Sequence, residues 1–424
     1  MAIIQINSQD PQFGFIIRKN PNSGMQVRSI RKGTAFGWFS NEGTSFNILF
    51  KDADNAVSFG DQEFEFLNTS RYNSPLFVLN AIGEFFSSTV RDIDDRDTVG
   101  IEKSFVVNMV NIKQIRQINQ FKQYFKEFDI EVEHYAAKSY KLTVVTKETF
   151  NHLFNFMNLM MVFITIASTD EYIQLDQASV EKYMLSIERL DAPFFIRYLF
   201  SRAMFRSKNQ FSKYKDRLET TNRHNNVNMV FGDTATQRRT AIEKLIPFNK
   251  PILDIGCGEG FYAIPFSQKI KDYDYVAIDI VKTLTDTVMK KASKKEIENI
   301  KTFNSFKQFI NSSLTNSNYD IILTEVIEHM PKEQSAAFIN DILNNVNFDN
   351  FIITVPNKDF NKFYMIDEDD FRHIDHNWEP TFSEFNEFIL KIIKSRDNMN
   401  IQFLNIGDTI DGISTSVGCK ITKV

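Results

Sequence analysis

Two short stretches in the second half of the chain carry residue types whose spacing can do chemistry. The first is LDIGCGEG, residues 253–260, in which Gly256, Gly258 and Gly260 follow an apolar run that reads as a strand. Glycines at such a turn let the backbone approach a ligand more closely than side chains would allow. The G-x-G-x-G spacing is one residue tighter than the dinucleotide fingerprint, so a pyrophosphate is not the natural guest and a cofactor without phosphate fits better. Asp279 ends the next apolar run, YVAIDI, 25 residues after Asp254. An acidic residue there accepts hydrogen bonds from an adenosine ribose in folds of this kind. The combination predicts S-adenosylmethionine, with Asp254 toward its positive amino acid end, directly or through water, and Asp279 on the ribose hydroxyls.

The second stretch is TEVIEHM, residues 324–330, which follows the apolar run DIIL. Glu325, Glu328 and His329 stand at i, i+3 and i+4, positions that share one face if the segment is helical. Downstream, FRHIDHNW supplies His373 and His376, so three of the six histidines in the chain fall in these two motifs. Carboxylates with imidazoles form a mixed hard and borderline donor set, suited to Mn²⁺, Mg²⁺ or Fe²⁺ rather than to a thiolate zinc site. The second histidine of an H-E-x-x-H or H-x-x-E-H metalloprotease is missing, which excludes that route to peptide hydrolysis. A methyltransferase has a use for such an ion. A ribose hydroxyl is a poor nucleophile at neutral pH, and a divalent cation lowers the pKa of an oxygen ligand and fixes it. The adjacent 2′ and 3′ hydroxyls of a terminal ribose can both bind one ion, whereas an internal nucleotide has its 3′ oxygen tied into a phosphodiester.

The elements that must position these residues follow from the hydrophobic pattern. PILDIG, YVAIDI, DIILTEV and FIITVPN read as short buried strands separated by helical or polar stretches, beginning with a helix over TQRRTAIEKLI. That alternation predicts an α/β fold with a doubly wound, mostly parallel sheet, its ligands bound at the carboxyl edge. A helix is expected from about Phe261. The first half reads as an α+β region, with strands over FGFIIRKN, TAFGWF, NILFKD and FEFLN up to about residue 145. Helices follow over TFNHLFNFMNLMMVF, SVEKYMLSIERL, starting at Asp176 or Ser179, and PFFIRYLFSRAMF. The expected organisation is therefore an α+β lobe over 1–145, a helical continuation and linker over 146–225, and the methyltransferase domain over 226–424.

Composition bounds the remaining readings. The length of 424 residues exceeds one ordinary core, and the 42 phenylalanines make it an unusually aromatic one. With a net charge of -5 there is no global basic field, so any RNA contact must be local. A basic run from Arg197 to Arg223 reads either as a solvated helix face or as a phosphate or partner contact. Two cysteines, Cys257 and Cys419, and no recognisable leader point to a cytoplasmic protein without disulfides. The most apolar stretch, residues 154–167, is interrupted by Asn155 and Asn158 and falls short of the ~20 residues of a membrane helix.

The blocks LDIGCGEG, DIILTEVIEHM, FIITVPNKDFN and FRHIDHNWE, in that order, resemble the bacterial branch of the small-RNA 3′-terminal ribose 2′-O-methyltransferases. The resemblance implies that Glu325, Glu328, His329 and His376 are metal ligands, with His373 a second candidate nearby. Glu379 and Thr381 keep the family's pattern, while Pro380 and Phe382 stand where it usually has Trp and Arg. FGFIIRKNP, RYNSPLFVLNAI and EYIQLDQASVEKYMLSIERL with FFIRYL are similar to the N-terminal region of the bacterial proteins. That region resembles a ligase-activating module, which implies RNA 3′ ends as substrate, with a polynucleotide kinase-phosphatase and an RNA ligase as partners. His373 is also a candidate general base. Two other readings stay open: a metal-dependent methyltransferase of a small vicinal diol, and a repair scaffold whose N-terminal half activates a ligase.

Overall fold

The computed structural model describes residues 3–30, 33–51, 73–136, 138–167, 177–367, 369–394, 396 and 398–423. The chain divides into two compact units, Met1–Arg223 and His224–Val424.

In the first unit the described residues form seven strands: β1 (Ile3–Ser8), β2 (Gln26–Ile30), β3 (Gly33–Ser40), β4 (Ser45–Lys51), β5 (Lys103–Asn111), β6 (Phe128–Ala136) and β7 (Ser139–Thr146). Their order is β2-β3-β4-β1-β5-β7-β6, every neighbouring pair antiparallel. Burial alternates along β3 and along the start of β5, as expected of a sheet with one face on a core. Helices Pro75–Arg91 and Phe150–Ala167 supply much of that core, where the rings of Phe86 and Phe154 stack at 4.5 Å and those of Phe13 and Phe150 at 5.1 Å. The expected strand over FGFIIRKN is not one: Phe13–Ile16 is a helical turn. Asp10 decides it: its carboxylate accepts from Gln12 N–H at 2.8 Å and its carbonyl from Phe13 N–H, a tight turn that leads into the helical turn, where Phe13 and Ile16 are buried. The strand expected over FEFLN, the helix start at Asp176, and Arg71, Tyr72 and residues 171–176 of the N-terminal motifs lie outside the described residues.

The apolar stretch 154–167 belongs to the helix Phe150–Ala167, and among the described residues no helix is long and apolar enough to cross a membrane. Asn155 and Asn158 are fully buried there and share Ser186 as a hydrogen-bonding partner. The basic run is mixed: Arg202, Arg206, Lys208, Lys213 and Arg223 are exposed, whereas Arg197 and Arg217 are tied into the fold. Arg197 is 1% exposed and donates to the carbonyls of Ala192, Leu218 and Thr220 and to Asp191, while Arg217 pairs with Glu181 and Glu188.

The second unit is built on β8 (Val227–Asn228), β9 (Ile252–Ile255), β10 (Tyr275–Ile278), β11 (Ile300–Phe303), β12 (Asn318–Thr324), β13 (Asn347–Pro356), β14 (Met399–Ile410) and β15 (Ile413–Lys423). They lie in the order β11-β10-β9-β12-β13-β15-β14-β8, parallel from β11 to β13 and antiparallel beyond. Successive residues of one strand face opposite layers: Leu253, Val276 and Ile321 pack on one side, Ile252, Ala277 and Ile322 on the other. This explains why these strands read as continuous apolar runs. The chain leaves β9 for β10 on one side and later returns to β12 on the other. The point of reversal between β9 and β12 is where such sheets open a crevice at their carboxyl edge.

Candidate active site

The glycine-rich turn leaves β9 at that edge. Gly256, Gly258 and Gly260 have φ of 77°, 52° and 85°, a left-handed backbone that side chains disfavour. A Cβ on Gly256 would stand 2.2 Å from Val326 Cγ2, whereas one on Gly258 would meet nothing within 4 Å. Gly256 is therefore required by packing. Gly258 presents bare backbone to open space, as a ligand cradle does. Gly260 packs toward Val288 of helix Lys282–Lys294. The helix expected from Phe261 runs Ala263–Ser267.

Asp279 braces this turn. Its Oδ2 accepts from Gly258 N–H and its Oδ1 from Val281 N–H, both at 2.9 Å. Asp254 is fully buried at the base. Its Oδ2 accepts from the Tyr275 hydroxyl at 2.8 Å, and its Oδ1 has no partner. Burial pushes its carboxyl up to about 7, against the opposing effect of the Tyr275 hydrogen bond and with help from the Asp279 charge. A cationic group brought to that oxygen would draw the proton off.

The next strand ends at the second motif. Ile327–His329 is a single 3-10 turn, and Glu325 before it sits at φ 54°. The left-handed residue breaks the helical face on which i, i+3 and i+4 were expected to align, and Glu325 diverges. Its N–H donates to Thr354 O at 2.9 Å, its Oε1 accepts from Thr354 Oγ1 at 3.1 Å, and its Oε2 pairs with Arg238 Nη1 at 3.1 Å. Glu328, His329 and His376 do converge, offering ligand atoms that all lie within 4.8 Å of one another. Glu328 is 0% exposed, and among the described residues neither of its carboxylate oxygens has a hydrogen-bond partner. Burial first, and the Glu325 charge second, push its carboxyl well above the usual range. A buried carboxyl with two orphaned oxygens beside two imidazoles fits the donor set of a divalent cation site, because a cation there would offset the cost of ionising it.

The histidines are oriented from behind. His329 Nδ1 meets Asp375 Oδ2 at 3.1 Å, and His376 Nδ1 meets Glu379 Oε1, each pair leaving the imidazole Nε2 for another partner. Glu379 is itself held by Arg372 N–H and Asn361 Nδ2. His373 is exposed, its ring 5.1 Å from that of His376 and outside the converging three. The two motifs are joined through their backbones. Trp378 Nε1 donates to Ile327 O at 2.9 Å, Asn377 N–H to Glu328 O at 2.7 Å and Asn377 Nδ2 to His329 O at 2.8 Å. Arg238 and Asp375 were not singled out from sequence. The only signal for Arg238 was its place in TQRRTAIEKLI, one of two consecutive arginines on a helix with a single buried face.

The Hen1 N-terminal domain matches residues 3–223, just over half of the chain, and a methyltransferase domain matches residues 252–347. The chain belongs to the Hen1 family. A chain from the Pnkp1/Rnl/Hen1 RNA repair complex superimposes with a TM-score of 0.81 at 26% identity, covering 99% of this chain and all of that one. A second structure of a Pnkp1/Rnl/Hen1 complex gives a TM-score of 0.78 at 26% identity, with both chains fully covered. The small RNA 2′-O-methyltransferase of Caenorhabditis elegans is 30% identical over 69 residues, 16% of each protein. The match thus spans about a sixth of that curated relative.

Proposed function

We propose that this chain transfers a methyl group from S-adenosylmethionine to the 2′-oxygen of the 3′-terminal ribose of RNA, using a divalent cation, Mn²⁺ or Mg²⁺. The observation that carries this reading is Glu328, a buried carboxylate with both oxygens unpartnered, flanked by His329 and His376 at the same sheet edge as the glycine turn. Glu328, His329 and His376 would hold the cation, with Glu325 the fourth ligand once its carboxylate is free. Bound there, the cation supplies Lewis acidity that makes a hydroxyl a better nucleophile at neutral pH.

The chain's own residues do the rest. Gly256, Gly258 and Gly260 leave room for the methyl donor, Asp279 stands by its ribose, and Asp254 faces its positive amino acid end. Glu379 keeps His376 in one orientation. In the transfer the 2′-oxygen forms its bond to the methyl carbon as the sulfur–carbon bond breaks, the electron pair leaving with sulfur. The hydroxyl proton is lost to a base, for which His373, the exposed imidazole beside the cluster, is the candidate. The likeness of both units to a chain from complexes of Pnkp1, Rnl and Hen1 supports a cytoplasmic role at broken RNA ends with a kinase-phosphatase and a ligase.

The test is labelled methyl transfer to a short RNA with Mn²⁺, repeated with 2′-deoxy and 3′-deoxy ends and with chelator. Transfer to the unmodified end alone is expected. No label on unmodified RNA would refute the reading, and full label on the 3′-deoxy end would refute the two-hydroxyl grip on the cation.

A further inference from the structure

We infer that Arg238 is a displaceable counter-ion: it occupies Glu325 until a divalent cation takes that carboxylate, and so sets the affinity of the site for metal. This rests on the proposed cation site and goes beyond it.

Arg238 lies on the helix Thr234–Glu243, capped by Asp233, whose carboxylate accepts from Thr236 N–H. Gln237, buried beside it, donates to Val230 O and Gly232 O and to Asp408, which fixes the rotation of the helix. The next side chain is thereby aimed inward, and Arg238 is only 11% exposed. Its guanidinium makes two contacts with different partners. Nε donates to the Tyr262 hydroxyl at 3.2 Å, and Nη1 meets Glu325 Oε2 at 3.1 Å.

The carboxylate contact is a single one and lacks the two-pronged geometry that makes an arginine–carboxylate pair durable. Glu325 is otherwise held only by the neutral Thr354 hydroxyl. The charge of Arg238 acts on both Glu325, which it touches, and Glu328. A divalent ion arriving at Glu328 brings more charge to the same place. It would release Nη1 while Nε stays moored to Tyr262, at the foot of the cofactor turn. Arg238 is then a positioning residue. It holds the Glu325 carboxylate in place and offsets the repulsion between the two carboxylates while the ion is absent.

A permanent clamp and a displaceable counter-ion predict opposite signs. The experiment is Mn²⁺ titration of the full chain, followed by electron paramagnetic resonance of free Mn²⁺, for the parent, R238Q, R238K, E325Q and R238Q/E325Q. Removing a competing charge is expected to tighten Mn²⁺ binding by about 5-fold or more in R238Q, the low end of ordinary site-to-site coupling. R238K should fall between R238Q and the parent, and the gain should vanish in the E325Q background. R238Q without metal should melt below the parent, and saturating Mn²⁺ should narrow the gap. Unchanged or weaker binding in R238Q would overturn the inference, as would weaker binding in R238K should R238Q fail to fold. A parent that binds no Mn²⁺ would instead refute the cation site itself.

Discussion

His376 Nδ1 lies 2.5 Å from Glu379 Oε1, and the two side chains are 2% and 0% exposed. Glu379 is also the acceptor for Arg372 N–H and Asn361 Nδ2, so the carboxylate belongs to a fixed frame rather than to the imidazole alone. Replacing it with Gln should leave the fold intact and weaken Mn²⁺ binding by about 10-fold to 100-fold, the usual cost of losing the carboxylate behind a ligating histidine. Titration of the E379Q chain with Mn²⁺ checks this, and parent-like affinity would count against His376 as a ligand.

Asp254 makes folding pH-dependent. Its folded value of about 7 lies above the ordinary 3.8, so folding takes up a proton between those values and stability falls as pH rises through that window. The loss, on the order of 4 kcal/mol when complete, should be absent in D254N, which can still accept from Tyr275. Urea denaturation of the cofactor-free chain at pH 5 and pH 8 measures it: D254N should gain on the parent at the higher pH. S-adenosylmethionine, whose positive end would favour the carboxylate, should bind the parent with release of a proton near neutral pH.

The packing and cradling roles within the glycine turn can be separated. Gly256→Ala meets Val326 at 2.2 Å as well as an unfavourable φ, and should destabilise the chain by about 2 to 3 kcal/mol. Gly258→Ala meets no atom and pays only the left-handed penalty, about 1 kcal/mol. If the turn cradles a cofactor, the milder variant should nonetheless lose affinity for S-adenosylmethionine at least as badly. Thermal melts with calorimetric titration would decide, and an unaltered affinity in G258A would remove Gly258 from the cofactor site.

Arg197 should matter for stability and not for chemistry. Truncation to Ala would strand the carbonyls of Ala192, Leu218 and Thr220 and remove the buried cation beside Asp191, which keeps Thr221, Asn222 and Arg223, at a cost of about 3 kcal/mol or more. Hydrogen exchange across residues 194–219 should accelerate in R197A.

The parallel strands were legible because burial on both faces writes itself as an unbroken apolar run, and the glycine turn because backbone approach demands that residue type. What escaped was decided by particular contacts, some local and some far away in the chain. FGFII is too short for its pattern to separate strand from helix, and the turn made by Asp10 just before it settled the matter. The spacing of Glu325, Glu328 and His329 presumes a helix, which one left-handed residue abolishes. Arg197 and Arg238 look like surface charge in a sequence because several of the acceptors are carbonyls 20 or more residues distant in one case and Glu325, 87 residues on, is the partner in the other. Buried cations announce themselves only once the fold is known.

The main-chain carbonyls of Ile327, Glu328 and His329 are each claimed by Asn377 or Trp378. The walls that would surround an ion are thus sewn together by peptide and indole groups, with no metal needed as the thread. A zinc finger collapses when its ion is withdrawn, because there the metal is the fold. Here chelation should empty a chamber and leave the building standing. An ion held there would behave as a reagent that can be surrendered and taken up again, and a molecule starved of it would wait folded for the next one.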